Sequence, residues 1–95
     1  MFDRKFRLPE AKVQSGIDAF KNEGGVAAED LVELLKTKTL ENPGLGKKVP
    51  DRPGIWKESA GQKLSGERLF AVVLYKFDRK SVKWTFFKGW VFPDK

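Results

Sequence analysis

The last third of the chain, residues 68–94, constrains the fold most, because it reads as a β-hairpin with two apolar faces. Its two segments, RLFAVVLYKF and VKWTFFKGWVF, flank the turn sequence DRKS. An antiparallel hairpin usually buries one face and leaves the other in water. Both faces of this hairpin must therefore be buried against other surfaces. We expect the chain's own helices on one face, and the middle loop, a second copy (a homo-oligomer) or a partner protein on the other.

A four-residue DRKS turn sets the register of the hairpin, with Phe77 opposite Val82 and Lys76 opposite Lys83. The face predicted to meet the helices carries Leu69, Val73, Tyr75, Phe77, Val82, Trp84, Phe86 and Trp90, with Phe92 as a further candidate. The partner-binding residues predicted on the other face are Phe70, Val72, Leu74 and Phe87. Like charges directly across a strand pair are destabilising, so we expect Lys76 and Lys83 to lie in water or meet an anion.

Apolar periodicity predicts two helices before the hairpin. Val13, Ile17 and Phe20 recur at helical spacing, which favours a helix over about residues 9–22 that ends at Gly24-Gly25. A second helix is predicted over about residues 27–39, with Leu31 and Leu34 buried. The predicted fold is α+β: one domain, residues 1–95, with two N-terminal helices packed on a small antiparallel sheet that the hairpin dominates.

Between helices and hairpin, residues 41–66 hold three of the five prolines and five of the nine glycines. This composition predicts a long basic loop, with Ile55 to Lys57 as the only candidate for a short edge strand. Long loops without secondary structure are uncommon in compact domains and tend to be functional or disordered.

The net charge of +6 is unevenly distributed. Residues 1–41 sum to −1, residues 42–63 to +3, residues 64–75 to zero and residues 76–95 to +4. A basic field concentrated in the loop and the hairpin suits a polyanion, an acidic protein surface or an anionic membrane. It is also compatible with a surface that merely keeps the protein soluble.

Basic and aromatic residues in these two regions form the predicted nucleic-acid site. Bases stack on aromatic rings while Lys and Arg hold the phosphates. The predicted residues are Lys47, Lys48, Arg52, Trp56 and Lys57 in the loop, and Arg79, Lys80 and Lys83 in the hairpin. A helix-turn-helix is disfavoured, because Glu29, Asp30 and Glu33 would open its recognition helix and repel phosphates.

The chain has no histidine and no cysteine, which removes the commonest general base and nearly all zinc ligands. The acidic residues show no pairing suited to acid–base chemistry, so we expect no enzymatic activity, no metal and no cofactor. The longest apolar run is Leu69 to Tyr75, too short to span a bilayer. The N-terminus lacks the apolar core of a signal peptide.

Sequence alone therefore predicts a cytoplasmic, non-enzymatic protein that binds DNA or RNA with weak sequence specificity. The alternative is a protein–protein interaction module, such as an inhibitor, an adaptor or a subunit, that uses the second apolar face of the hairpin.

Overall fold

One long helix lies across one face of a five-stranded sheet in the computed structural model, which describes residues 4–93. The elements are β1 (Lys5–Arg7), α1 (Ala11–Glu41), β2 (Lys47–Lys48), β3 (Trp56–Leu64), β4 (Glu67–Phe77) and β5 (Ser81–Pro93). The strand order is β1-β5-β4-β3-β2. The α+β class is confirmed, but the sheet is mixed, because β1 runs parallel to β5 while the other pairs are antiparallel.

The prediction of two helices is wrong, since α1 is continuous from Ala11 to Glu41 apart from one residue. Gly25 has φ 64° and ψ −143°, a conformation that glycine adopts without a steric penalty. The helix kinks there and resumes at once. Gly25 therefore bends the helix without introducing a connecting loop.

Leu34 is 44% exposed, so its predicted burial is wrong, whereas Leu31 is buried as predicted. The buried stripe of α1 consists of Ile17, Phe20, Ala28, Leu31, Val32, Leu35 and Thr39. After the kink, Ala28, Leu31, Leu35 and Thr39 recur at intervals of three and four residues, the spacing of one helix face, and Val32 lies next to Leu31 on that face. Leu34 lies beside this stripe, and Val32 takes the place predicted for it.

Residues 41–66 are not the predicted loop, because they contain β2 and all nine residues of β3. β3 pairs with β4 along its whole length, from Trp56 opposite Tyr75 to Leu64 opposite Glu67. Its sequence, WKESAGQKL, has weak strand propensity, so its backbone is held by the partner strand rather than by local preference.

The predicted hairpin register is confirmed next to the turn and wrong beyond it. Phe77 pairs with Val82 and Lys76 with Lys83, but an irregularity between Leu74 and Tyr75 makes Val73 pair with Phe87. One additional residue in β5 moves every later side chain to the opposite face. Phe87 is consequently buried against α1 at 7% exposure, and its predicted place on the other face is wrong.

The same irregularity corrects three more predicted positions, those of Phe86, Trp90 and Phe92, and Phe92 pairs with Arg68 on the other face. Trp84 is fully buried under α1 as predicted. Phe86 and Trp90 instead share the other face with Leu74 and Phe70, which they oppose in the ladder.

Polar groups at the centre of the core are paired with one another. The Trp84 indole N–H donates to Thr39 Oγ1 at 3.2 Å, and the Thr39 hydroxyl lies 2.9 Å from the Leu35 carbonyl to which it donates. The Gly44 backbone N–H donates to the Tyr75 hydroxyl at 3.0 Å. Burial raises the pKa of Tyr75 above its ordinary value. These bonds attach the C-terminal half of α1 and the segment after it to the sheet.

Within residues 4–93, α1 contains no stretch with the length and hydropathy that a bilayer crossing requires.

Candidate nucleic-acid interface

The sheet face opposite α1, here called the open face, carries a row of large apolar side chains. Phe70, Phe86 and Phe92 are 38%, 45% and 46% exposed. The Phe70 and Trp90 rings lie side by side with centroids 5.7 Å apart. Contiguous exposed apolar surface of this kind usually marks a contact site. Val72 and Leu74, both half-buried, complete the row.

Basic residues surround this apolar row. Side chains alternate across a strand and directly paired residues share a face. The strand positions of the open face therefore include Lys5, Arg7, Lys47, Lys57, Lys63, Arg68, Lys76, Lys83 and Lys88. No Asp or Glu occupies a strand position of this face in the described part of the chain, since Glu58 and Glu67 alternate with it.

The acidic residues are concentrated on the other layer. α1 carries six acidic residues, Asp18, Glu23, Glu29, Asp30, Glu33 and Glu41, against four lysines, Lys12, Lys21, Lys36 and Lys38. The helix layer is thus net negative by two charges, and the open face is positive. Such a separation of charge directs an approaching anion to the sheet rather than to the helix.

One pair of like charges on the open face is relieved by a carboxylate. Lys76 and Lys83 are directly opposed, as predicted. The Lys83 ammonium lies 3.9 Å from Glu10 Oε1, which draws it toward the chain that leads into α1. Lys76 remains exposed at the end of the face near the hairpin turn.

The hairpin turn is held by Asp78. Its carboxylate accepts the backbone N–H groups of Lys80 at 2.7 Å and Ser81 at 2.8 Å, which holds the pKa of Asp78 below its ordinary value. Arg79 and Lys80 are exposed in this turn. A depression of about 260 Å³ lies next to it, lined by Arg7, Lys76, Phe77, Asp78, Ser81 and Lys83.

Toward the β2 edge of the sheet, a second depression of about 470 Å³ lies between the open face and the segment after β2. We call it the β2 groove. Its lining consists of Lys47, Lys48, Val49, Pro50, Lys57, Val72, Leu74 and Phe86. Apolar atoms form most of its surface, and three lysines are among its lining residues.

The structure brings some of the predicted nucleic-acid residues together and separates others. Lys47, Lys57 and Lys83 occupy open-face positions. Trp56 instead lies half-buried on the helix side, 6.1 Å from the Phe77 ring centroid. The Lys48 ammonium lies 5.9 Å from the Trp56 ring centroid.

Arg52, Arg79 and Lys80 are exposed in turns. Three of the four predicted partner-binding residues, Phe70, Val72 and Leu74, share the open face with the basic residues. Three residues of each predicted site therefore lie on one surface, and the remaining predicted residues lie outside it.

Sequence reasoning missed several members of this surface. Phe86 and Trp90 were assigned to the wrong face because nothing in the sequence marks the irregularity in β5. Lys88 follows from the corrected register. Lys5 and Arg7 could have been found from the alternation of the N-terminal segment, whose Phe6 packs edge-on against Trp84 at 5.0 Å.

Neither candidate metal ligands nor known relatives add to the description of this surface. Among residues 4–93, acidic side chains do not come together in groups of three that could hold a metal ion. Comparisons with protein-family models, curated proteins and solved structures find no significant match to this chain.

Proposed function

We propose that this protein binds single-stranded nucleic acid on the open face. One observation carries the proposal: exposed aromatic side chains lie in a row inside a border of basic residues, with the acidic residues on the other layer. Unpaired bases stack on aromatic rings whatever their sequence, and Lys and Arg track the phosphates. Such a surface suits a strand whose bases are free rather than a duplex, in which the base faces are hidden.

Charge favours this ligand over an ordinary protein partner. A protein that covered only the apolar row would also have to accommodate the nine basic residues around it. Their charges would either be buried in the contact or stay in water at its rim. A nucleic-acid strand supplies apolar base faces and a regular series of anions at once. If about four phosphates are engaged, the logarithm of affinity should fall with the logarithm of salt concentration with a slope of about −3.

The alternative function is contact with another protein that adds a β-strand to the sheet. The observation in its favour is that β2 pairs with only two residues of β3, Trp56 and Lys57, so no described strand covers the outer edge of β3 from Glu58 to Leu64. An exposed edge can accept a strand from another chain. Backbone pairing at this edge would survive salt concentrations that release a nucleic acid.

The test is fluorescence anisotropy with labelled single-stranded DNA and RNA of about ten nucleotides, the size of strand that such surfaces cover. We expect binding that weakens steeply from about 50 to about 200 mM salt. An abasic strand of the same length and charge should bind more weakly, because it lacks the bases that stack.

A matched pair of charge-reversed variants separates a site from a general field. Lys57→Glu with Lys88→Glu changes the open face, whereas Lys12→Glu with Lys38→Glu changes α1 by the same charge. The open-face variant should lose at least about tenfold more affinity than the helix variant. Equal losses in both variants, or no binding of either strand type by the parent protein at low salt, would refute the proposal.

A further inference from the structure

The β2 groove differs from the rest of the open face because it has a side wall. Val49 and Pro50 stand beside a floor made by Val72, Leu74 and Phe86. The flat part of the face can only support a base from below. A walled depression can enclose one on two sides.

Backbone hydrogen bonds hold this wall in place. The Val49 N–H donates to the Ile55 carbonyl at 3.0 Å, and the Ile55 N–H donates to the Arg52 carbonyl at 3.1 Å. Gly54, with φ 79°, allows the turn between them to close. These contacts fix the position of the wall, and a wall that is already fixed lowers the entropic cost of binding there.

Glycine also sets the distance between the wall and the sheet. A Cβ atom at Gly46 would collide with the Lys57 carbonyl oxygen, so only glycine lets β2 approach β3 this closely at that point. Lys47 is paired with Lys57 immediately afterwards. This pairing places two lysines at the border of an apolar depression.

We infer that the β2 groove holds one unpaired nucleobase, with the attached phosphate on Lys47 and Lys57; this inference rests on the function proposed above. The ligand must be flat and apolar on its faces, to fill the space between Phe86 and the wall, and anionic at its margin, to meet the lysines. A nucleotide has both properties. The volume of about 470 Å³ lies within the range of roughly 300–1,000 Å³ typical of small-ligand sites.

The two acidic residues nearest this border, Asp51 and Glu58, do not cancel the positive charge of its lysines. Asp51 follows Pro50, but Arg52 adjoins it. The Glu58 carboxylate accepts the backbone N–H of Ser59 at 3.2 Å and belongs to the helix side of β3. Glu58 lines a neighbouring depression together with Lys47 and Lys57, but neither lysine forms an ion pair among the described residues.

The groove continues directly into the aromatic row. Leu74 opposes Phe86, and Phe70, four residues before Leu74 on β4, opposes Trp90. Four residues of strand cover about 13 Å. A nucleic-acid strand that is anchored in the groove can thus pass over Val72 and Lys88 and stack its next bases on Phe70 and Trp90.

The experiment fills the groove without altering charge. Val72→Phe inserts a ring into the floor, and Val26→Phe makes the same change on α1, where Val26 is 73% exposed. Val72→Phe should weaken binding of the single-stranded oligomer by about tenfold with an unchanged salt slope, because the phosphate contacts remain. Val26→Phe should bind like the parent protein.

A second measurement uses the parent protein alone, so the result does not depend on the folding of a variant. Uridine 5′-monophosphate should shift the methyl NMR signals of Val49, Val72 and Leu74, whereas ribose 5-phosphate should not. Displacement of the mononucleotide by the oligomer assigns the groove to a strand. Saturation without displacement assigns it to a free nucleotide.

The two proposals fail in different ways. If Val72→Phe binds the oligomer like the parent protein and the methyl signals do not move, the groove inference is wrong. Loss of affinity in the Lys57 and Lys88 variant would then still support nucleic-acid binding on the open face. If uridine 5′-monophosphate moves the signals but no oligomer binds, the groove inference stands for a free nucleotide and the proposed function is wrong.

Discussion

Replacing Gly89 with alanine should destabilise the protein, because Phe20 of α1 occupies the space where a side chain would lie. Gly89 opposes Ala71 on the helix side of the sheet, and these two small residues form a notch. A Cβ atom at residue 89 would lie 2.8 Å from Phe20 Cε1 and closer still to Cγ and Cδ1. Phe20 is only 3% exposed, so its ring has little room to move.

Two opposing effects set the magnitude. Alanine in place of a strand glycine gains about 0.5–1 kcal/mol from reduced chain entropy. Overpacking a well-filled core costs about 1–3 kcal/mol. We expect a net loss of roughly 1–2 kcal/mol in the free energy of unfolding, which corresponds to a fall in Tm of roughly 5–15 °C for a chain of this size.

Urea denaturation followed by tryptophan fluorescence measures this loss. Gly61→Ala is the matched control, because its Cβ would lie 3.4 Å from the Leu69 carbonyl oxygen, an ordinary contact. It should change the free energy of unfolding by less than about 0.5 kcal/mol. Phe20→Leu combined with Gly89→Ala should be less destabilising than the sum of the single changes, since the smaller side chain vacates the notch. A Gly89→Ala variant as stable as the parent protein would refute this account of helix packing.

Two further predictions concern the core. Leu35→Ala should lower the free energy of unfolding by about 2–5 kcal/mol, whereas Leu34→Ala, at a position that is 44% exposed, should lower it by less than about 1 kcal/mol. Urea denaturation measures both losses. Equal losses would mean that α1 is rotated from the orientation described. Because burial raises the pKa of Tyr75, the folded state holds the phenol proton to higher pH than the unfolded chain does. The stability that comes from the neutral Tyr75 phenol is therefore complete below about pH 10, and it is lost as the pH rises through the raised pKa. Tyr75→Phe should therefore lose less stability than the parent protein between about pH 9 and 11, and identical pH profiles would contradict the assignment.

Apolar patterning determined the class of the fold and its central contacts. The runs in β4 and β5 predict two long strands, and the DRKS turn predicts the pairing of Phe77 with Val82. Helical spacing correctly placed Ile17, Phe20 and Leu31 in the core. These features depend on local periodicity, which can be read from neighbouring residues alone.

Tertiary contacts decided the parts that the sequence left ambiguous. β3 has little strand propensity and forms because β4 offers a complete set of backbone partners. The helix remains one element because a positive φ at Gly25 costs glycine little and both halves pack on the same sheet.

The candidate site shows the same division most clearly. The abundance of Lys and aromatic residues was visible in the sequence and predicted a polyanion as partner. Which of these residues share a face depended on one additional residue in β5, which moved Phe86 and Trp90 to the open face and Phe87 to the helix side. Because the side-chain period of a strand is two, such a local shift reverses every position beyond it, and only the paired strand reveals where it occurs.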